Sequence, residues 1–485
     1  MSRYSEISRR TFLNRYLLPT CFAALTPALS RAAPFPNSKG ERPNVLLILA
    51  DDQGWGDLPT NWSRTDIRMP VMDAVGRTGI RFTSFYVNPL CAPTRSSIMT
   101  GLYSMENGMW RGPSRQATSH YRGIRKDILT LPQRLQQAGY ATGVFGKWHL
   151  GYDKGNLPND RGFDEFYGFL GGAHTYELKC GDKEYRHNEN QYCRDAHATD
   201  YITEKALDFM RHSVAQAAPF FCYVAYNAVH GPLWRQDHQK SSGKTQWLDR
   251  AEKRGIDLPR RDYAAVLEHM DHCAGRLLEL LDSLGVEENT LVIYLSDNGA
   301  ITMRNPTNVA YPGNNGPLRG GKGTVYEGGI RVPCVMRWKG RFPEGTVSSD
   351  TAIHADIFAT CLDATGLTVP TENGASPVRG TSLIPHILSR CTSRLPDRTI
   401  FFELTGDVAI RRGRYKLVGK VESSRADWAQ TASELRDTQL ELYDIENDIA
   451  ESRDLSSTMP DVYASLKKEL IAYFETIARR PARQK

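Results

Sequence analysis

Four short apolar runs occur in the first 300 or so residues, and each breaks off at polar side chains. They are Asn44–Ala50, ending in Asp51-Asp52; 141–145, followed by Lys147 and His149; 220–229, ending at His230; and 291–295, ending in Ser296-Asp297-Asn298. None alternates apolar with polar positions, so each predicts a strand buried on both faces, as in a parallel sheet. Between the runs lie helical patterns. Leu131 and Leu135 share a stripe within 129–138, and 201–210 and 263–281 show the i, i+3, i+4 spacing of amphipathic helices. This alternation predicts an α/β fold, a large mixed, mostly parallel sheet sandwiched by helices, with ligands collecting beyond the carboxyl ends of the strands. All four polar endings then face one crevice.

After about Gly366 the pattern changes. A Pro/Gly/Ser stretch, 369–377, precedes shorter strand candidates at Thr399–Leu404, 408–411, 414–418 and 440–443, with Arg412-Gly413 as a tight turn. Pro460 opens a helical pattern that places Val462, Leu466, Leu470 and Phe474 on one stripe. These elements predict a smaller C-terminal α+β domain with an antiparallel sheet. The chain therefore divides into a leader (1–33), a linker (34–43), an α/β domain (44–390) and a C-terminal subdomain (391–485).

Composition narrows the class. With 485 residues, 24% charged and 40% hydrophobic, the chain is neither a disordered polymer nor a disulfide-stapled miniprotein. Its net charge is +6, but residues 1–33 carry five arginines and one glutamate, leaving about +2 for the rest and no nucleic-acid footprint. Ser8-Arg9-Arg10-Thr11-Phe12-Leu13 precedes a mildly apolar stretch interrupted by Pro19 and Pro27. That stretch is too short and broken to span a bilayer and resembles a twin-arginine export signal, so a periplasmic or extracellular protein without stable membrane insertion is expected. The nine cysteines contain no Cys-x-x-Cys pair. Cys180 and Cys193 could bridge in an oxidising compartment, whereas Cys222, Cys273 and Cys334 sit in apolar surroundings typical of core thiols.

Asp51-Asp52 and Asp297-Asn298 offer four oxygen donors at two strand ends, a set that suits a hard divalent cation, Ca²⁺ before Mg²⁺. Each pair has a plainer alternative, since Asp-Asp can cap a helix and Asp-Asn-Gly can form a turn. Cys91-Ala92-Pro93-Thr94-Arg95, followed by Thr100-Gly101, changes that balance. This stretch resembles the signature of the type I sulfatases, members of the alkaline phosphatase-like superfamily, in which the cysteine is converted to formylglycine. The resemblance runs from the Asn44 strand to Glu441-Leu442-Tyr443-Asp444. It includes Gly146-Lys147-Trp148-His149-Leu150-Gly151, His230-Gly231-Pro232, Ser296-Asp297-Asn298-Gly299 and the glycine-rich stretch around Lys322.

The resemblance implies a sulfatase with a calcium site formed by Asp51, Asp52, Asp297, Asn298 and the modified Cys91. Arg95, Lys147, His149, His230 and Lys322 would handle the sulfate. One hydroxyl of the hydrated aldehyde would attack sulfur, with Asp297 taking the proton. His230 and Lys322 would serve the departing oxygen, and His149 would deprotonate the second hydroxyl to release sulfate. A formylglycine-generating maturation enzyme is the implied partner. The resemblance is nearest to the arylsulfatase and N-acetylgalactosamine-sulfatase branch, and a sulfated carbohydrate is the expected substrate. Trp110, His174, Trp234 and Arg235 are candidate sugar contacts, because aromatic faces and charged donors suit a sulfated ring. Two alternatives stand beside this reading: a phosphonate monoester or phosphodiester hydrolase of the same superfamily, and a non-catalytic sulfated-glycan-binding protein if Cys91 is not matured.

Overall fold

The computed structural model describes residues 42–115, 123–180, 184–188, 190–191, 195–233, 243–302, 312–422 and 427–479. The leader and most of the linker lie outside them, as do Cys193, Trp234 and Arg235. The four apolar runs form neighbouring parallel strands in the order Thr290–Ser296, Asn44–Ala50, Phe220–Ala225, Ala141–Lys147. Alternate side chains of the Asn44–Ala50 strand explain why no polar position interrupts it. Val45, Leu47 and Leu49 enter one apolar cluster, whereas Leu46, Ile48 and Ala50 enter another on the opposite face. Helices Cys91–Thr100, Leu131–Gln137 and His354–Ala364 supply the first cluster; Ala198–Ala215 and Arg260–Ser283 supply the second.

The sheet is larger than the four runs, with eleven strands among the described residues. Glu165–Phe169 extends it in parallel beside Ala141–Lys147. On the other flank Arg331–Arg337 runs antiparallel to Thr290–Ser296, and Ile80–Tyr86 runs antiparallel to Arg331–Arg337. The expected mixed, mostly parallel sheet between helical layers is therefore present. The 220–229 run leaves regular strand geometry at Ala225, but backbone bonds continue its pairing. Tyr226 N donates to Leu49 O at 3.0 Å and Asp51 N to Ala228 O at 2.8 Å, which carries the chain alongside Asp51 to His230.

A four-stranded antiparallel sheet follows, formed by Thr399–Leu404, Asp407–Arg412, Tyr415–Lys420 and Glu441–Asp444. Helices Trp428–Asp437 and Pro460–Ala478 cover it, with Leu466, Leu470 and Phe474 buried on the predicted stripe. Its apolar face shares a cluster with Tyr86, Tyr103, Trp110, Ile330 and Ile353 of the larger sheet's surroundings. Cys180 is disulfide-bonded, with its partner outside the described residues, whereas Cys91, Cys222, Cys273, Cys334, Cys361 and Cys391 are free thiols.

Candidate active site

The carboxyl ends of the four parallel strands place their polar residues side by side. After Ala50 the chain turns through a left-handed Asp52 (φ 67°), so the adjacent Asp51 and Asp52 escape the strict alternation of a strand and serve the same crevice. Asp52 N donates to Asp297 Oδ1 at 3.2 Å, and Asn298 Nδ2 donates to Asp52 Oδ1 at 2.7 Å. Thus the two acidic pairs predicted from separate runs form one cluster, and all four residues are buried.

Cys91 is the first residue of the Cys91–Thr100 helix, and every residue of that helix is buried. Pro93 lies in the first turn, where a missing N–H costs no intrahelical bond. Arg95, one turn on, falls on the same face as Cys91. The closing Thr100-Gly101 has a structural reason. Gly101 ends the helix at φ 72°, and an added Cβ would lie 2.6 Å from the Phe358 ring. The motif therefore fixes both ends of a buried helix that points its first residue into the crevice.

Cys91 Sγ lies 3.3 Å from His149 Nδ1, and ligand atoms of Asp51, Cys91 and Asp297 all fall within 4.8 Å of one another. Arg95 Nε donates to Asp297 Oδ2 at 2.9 Å, with Nη2 2.7 Å from the same oxygen, and Nη1 donates to the Lys147 carbonyl at 3.1 Å. Lys147 Nζ donates to Asp51 Oδ2 at 2.7 Å, and Lys322 Nζ to Asp52 Oδ1 at 2.5 Å. His230 Nε2 stands 3.8 Å from Asp52 Oδ2. Three buried carboxylates thus face three permanent cations, with two histidines beside them.

The electrostatics follow from that arrangement. Burial pushes the Asp51 carboxyl up to about 7, the Asp297 charge adds to the effect, and Lys147 opposes it. Burial also disfavours the Asp52 charge, but Lys322 and His230 outweigh it and hold this carboxyl below the usual range. His149 is held well below its ordinary value, by burial first and then by the charges of Lys147, Arg95 and Lys322. Its ring is therefore held uncharged, the form in which one ring nitrogen keeps its lone pair.

A cation fits this donor set. Among the described residues, Asp51 Oδ1, Asp52 Oδ2 and Asn298 Oδ1 are buried without a hydrogen-bond partner. Three bare oxygens from two adjacent strand ends would be costly unless a ligand satisfied them.

A family model described as "Sulfatase" matches residues 43–367. The chain belongs to the sulfatase family. N-acetylgalactosamine-6-sulfatase from Canis lupus familiaris is 34% identical over 397 residues, covering 77% of this chain and 71% of that protein. The crystal structure of Ps i-CgsB in complex with k-i-k-neocarrahexaose superposes with a TM-score of 0.77 at 28% identity, covering 92% of this chain and 96% of that one. A phosphonate monoester hydrolase from Silicibacter pomeroyi shares the fold, with a TM-score of 0.63 at 19% identity over 90% of this chain and 96% of that one.

The candidate sugar contacts fare differently in this sulfatase. Trp110 is 3% exposed and packs edge-on against Trp428, with ring centroids 5.6 Å apart, so it joins the C-terminal sheet to the main body and presents no open face to a sugar. His174 is also buried, its ring packed against Phe169 and Tyr185 with its Nδ1 2.9 Å from the Thr175 carbonyl. Its backbone serves the site instead, since its carbonyl accepts from Asn227 Nδ2 at 2.7 Å.

Three positioning residues escaped the sequence reading. Tyr176 donates its hydroxyl to the Asn227 and His230 carbonyls at 3.1 and 2.9 Å, fixing the His230 turn. Asn227 ties that turn to the His174 segment. Asn315 brackets the Lys322 loop: its amide meets both polar groups of the Ala300 backbone and the Gly320 carbonyl, at 2.9 to 3.1 Å. Only the Gly-Asn-Asn-Gly string at 313–316 signalled it, and that string reads simply as a turn.

Proposed function

We propose that this chain is a formylglycine- and calcium-dependent sulfatase that removes sulfate from a galactose-type or hexosamine ring of a sulfated glycan, after export and after maturation of Cys91 by a formylglycine-generating enzyme. The observation that carries the reading is Cys91 Sγ 3.3 Å from a neutral His149 and grouped with the carboxylates of Asp51 and Asp297. The names of the relatives support the substrate class, one an N-acetylgalactosamine-6-sulfatase and one solved with a neocarrahexaose.

Asp51, Asp52, Asp297 and Asn298 would hold the cation, with the matured position 91 beside them; a bound divalent ion supplies positive charge against the sulfate oxygens. Formylglycine supplies a geminal diol as nucleophile. The chain's own side chains do the remaining work. Arg95 and Lys147, anchored on Asp297 and Asp51, keep fixed positive charge against the ester oxygens, which costs no reorganisation as charge develops. His149, held neutral, takes the proton from position 91. On the opposite side of Asp52, Lys322 and His230 face the departing oxygen and can hold or donate a proton there.

Mass spectrometry of the Cys91 peptide from native-host protein, combined with turnover of matched aryl sulfate and aryl phosphonate esters, tests this function. The expected result is an aldehyde mass with sulfate preferred, and loss of both signals in Cys91→Ala. Preference for the phosphonate would assign the chain to the other hydrolase class, and an unmodified thiol would favour a glycan-binding protein.

A further inference from the structure

A cavity of about 230 Å³ opens beside the catalytic cluster, lined by Arg115, Tyr152, Leu170, Glu184 and Arg186. The fold places it. The Glu165–Phe169 strand runs parallel to Ala141–Lys147, with Phe169 in register with Lys147. Trp148 N then donates to Phe169 O at 3.0 Å and His149 N to Leu170 O at 3.2 Å. Leu170 therefore follows the carboxyl end of the next strand, one strand spacing of roughly 4.8 Å beyond the Lys147 strand on the same edge of the sheet. Arg186 lies on the strand beyond it, opposite Gly168, about two strand spacings, roughly 10 Å, from the Lys147 strand.

The lining is chemically selective. Arg186 sits on the Tyr185–His187 strand, partly buried, and among the described residues no carboxylate pairs with its guanidinium. Arg115 lies over the Tyr152 ring at 4.5 Å and pairs with Glu184, which covers that aromatic face and takes up that cation. Among the described residues, Arg186 is left as the positive charge of the cavity without a paired carboxylate. A guanidinium presents planar paired donors that match a sulfate or carboxylate oxyanion.

We infer that this cavity is a second anion subsite, in which Arg186 binds a sulfate or carboxylate on the sugar next to the one being desulfated. The inference rests on the sulfatase reading and extends it. The enzyme would then prefer polyanionic oligosaccharides over singly sulfated ones. Glu184 sets the limit of that preference by neutralising Arg115.

Three otherwise identical sulfated disaccharides, bearing a sulfate, a carboxylate or a hydroxyl at the neighbouring position, test the inference with matured full-length enzyme. Wild type should show a higher kcat/KM on one or both anionic forms than on the hydroxyl form, chiefly through KM, and the two anionic arms identify which oxyanion the subsite takes. Arg186→Ala should cut that ratio by about 10- to 100-fold, the equivalent of one charge-assisted hydrogen bond. Arg186→Lys should retain part of it, and the ratio should shrink as salt is raised. Glu184→Gln should increase the ratio, which keeps the test open if Arg186→Ala folds poorly. A wild-type ratio near one, or an unchanged ratio in Arg186→Ala and Glu184→Gln, would overturn the subsite while leaving the sulfatase function intact. Matured enzyme inactive on all three disaccharides and on an aryl sulfate would instead overturn the underlying function.

Discussion

Arg95 shows how much one buried side chain does here. Its guanidinium reaches the Asp297 carboxylate and the Lys147 carbonyl at once, and its Nη2 lies 3.8 Å from Asp51. A lysine carries the same charge on one ammonium and cannot span both partners. Arg95→Lys should therefore lower kcat/KM on an aryl sulfate by at least about 100-fold, the scale set by losing one preorganised donor. It should also cost about 1–3 kcal/mol of stability, because the Lys147 carbonyl is left buried and unpaired. Steady-state kinetics and thermal unfolding check the two parts, and kcat/KM within about threefold of wild type would show that only charge matters at this position. At this scale the grouping of the polar residues was legible because strands buried on both faces break off abruptly at polar side chains on one edge of the sheet. The burial of Trp110 and His174 was not, because sequence does not say which way a loop residue faces. Trp110 carries an aromatic ring as anticipated, but its ring lies under Trp428.

Between elements, the strands seen in the sequence were those buried on both faces, where burial forbids polar positions. Ile80–Tyr86 alternates and Arg331–Arg337 contains Pro333, and neither stood out as a strand. The structure accommodates Pro333 at a register shift between Val332 and Cys334, where no ladder bond is required of it. These two strands also meet the C-terminal sheet through a buried charge network invisible in sequence. Lys416 Nζ lies 3.0 Å from Glu327 and 2.8 Å from Glu451, all three side chains fully buried, while Glu327 accepts from Tyr86 at 2.6 Å and lies 3.3 Å from Arg331. Lys416→Met leaves Glu451 without its cation and Glu327 with Arg331 alone, and should cost about 3–5 kcal/mol. The loss should depend on pH. Burial already raises the Glu451 carboxyl, with Lys416 opposing and Glu327 adding. Without Lys416 the folded value rises further above the unfolded one. The variant is then least impaired near pH 4, where both states are protonated, and progressively more so as pH rises toward 8. Denaturation at several pH values measures this, and a gap from wild type that is constant with pH would mean that the network contributes packing alone.

For the molecule as a whole, the topology makes the centre a meeting point of distant segments. Residues about 250 positions apart, Asp51-Asp52 and Asp297-Asn298, touch because their strands are neighbours in the sheet. Any ligand that bridges them clamps the middle of the fold, so its binding energy adds to stability by mass action, about 2.7 kcal/mol at a free concentration of one hundred times Kd. Chelator-treated sulfatase should therefore unfold at a lower temperature than untreated protein, and Ca²⁺ should restore the midpoint in a saturable manner. Mg²⁺ should restore less, since it demands near-octahedral geometry at about 2.0–2.1 Å and gives up water reluctantly. Asp297→Asn should abolish most of the calcium-dependent shift, because it removes one of the three buried carboxylates while preserving shape. Scanning calorimetry across a calcium titration decides the matter without reference to turnover. A midpoint indifferent to both chelator and calcium would mean that Arg95, Lys147 and Lys322 alone balance the acidic cluster.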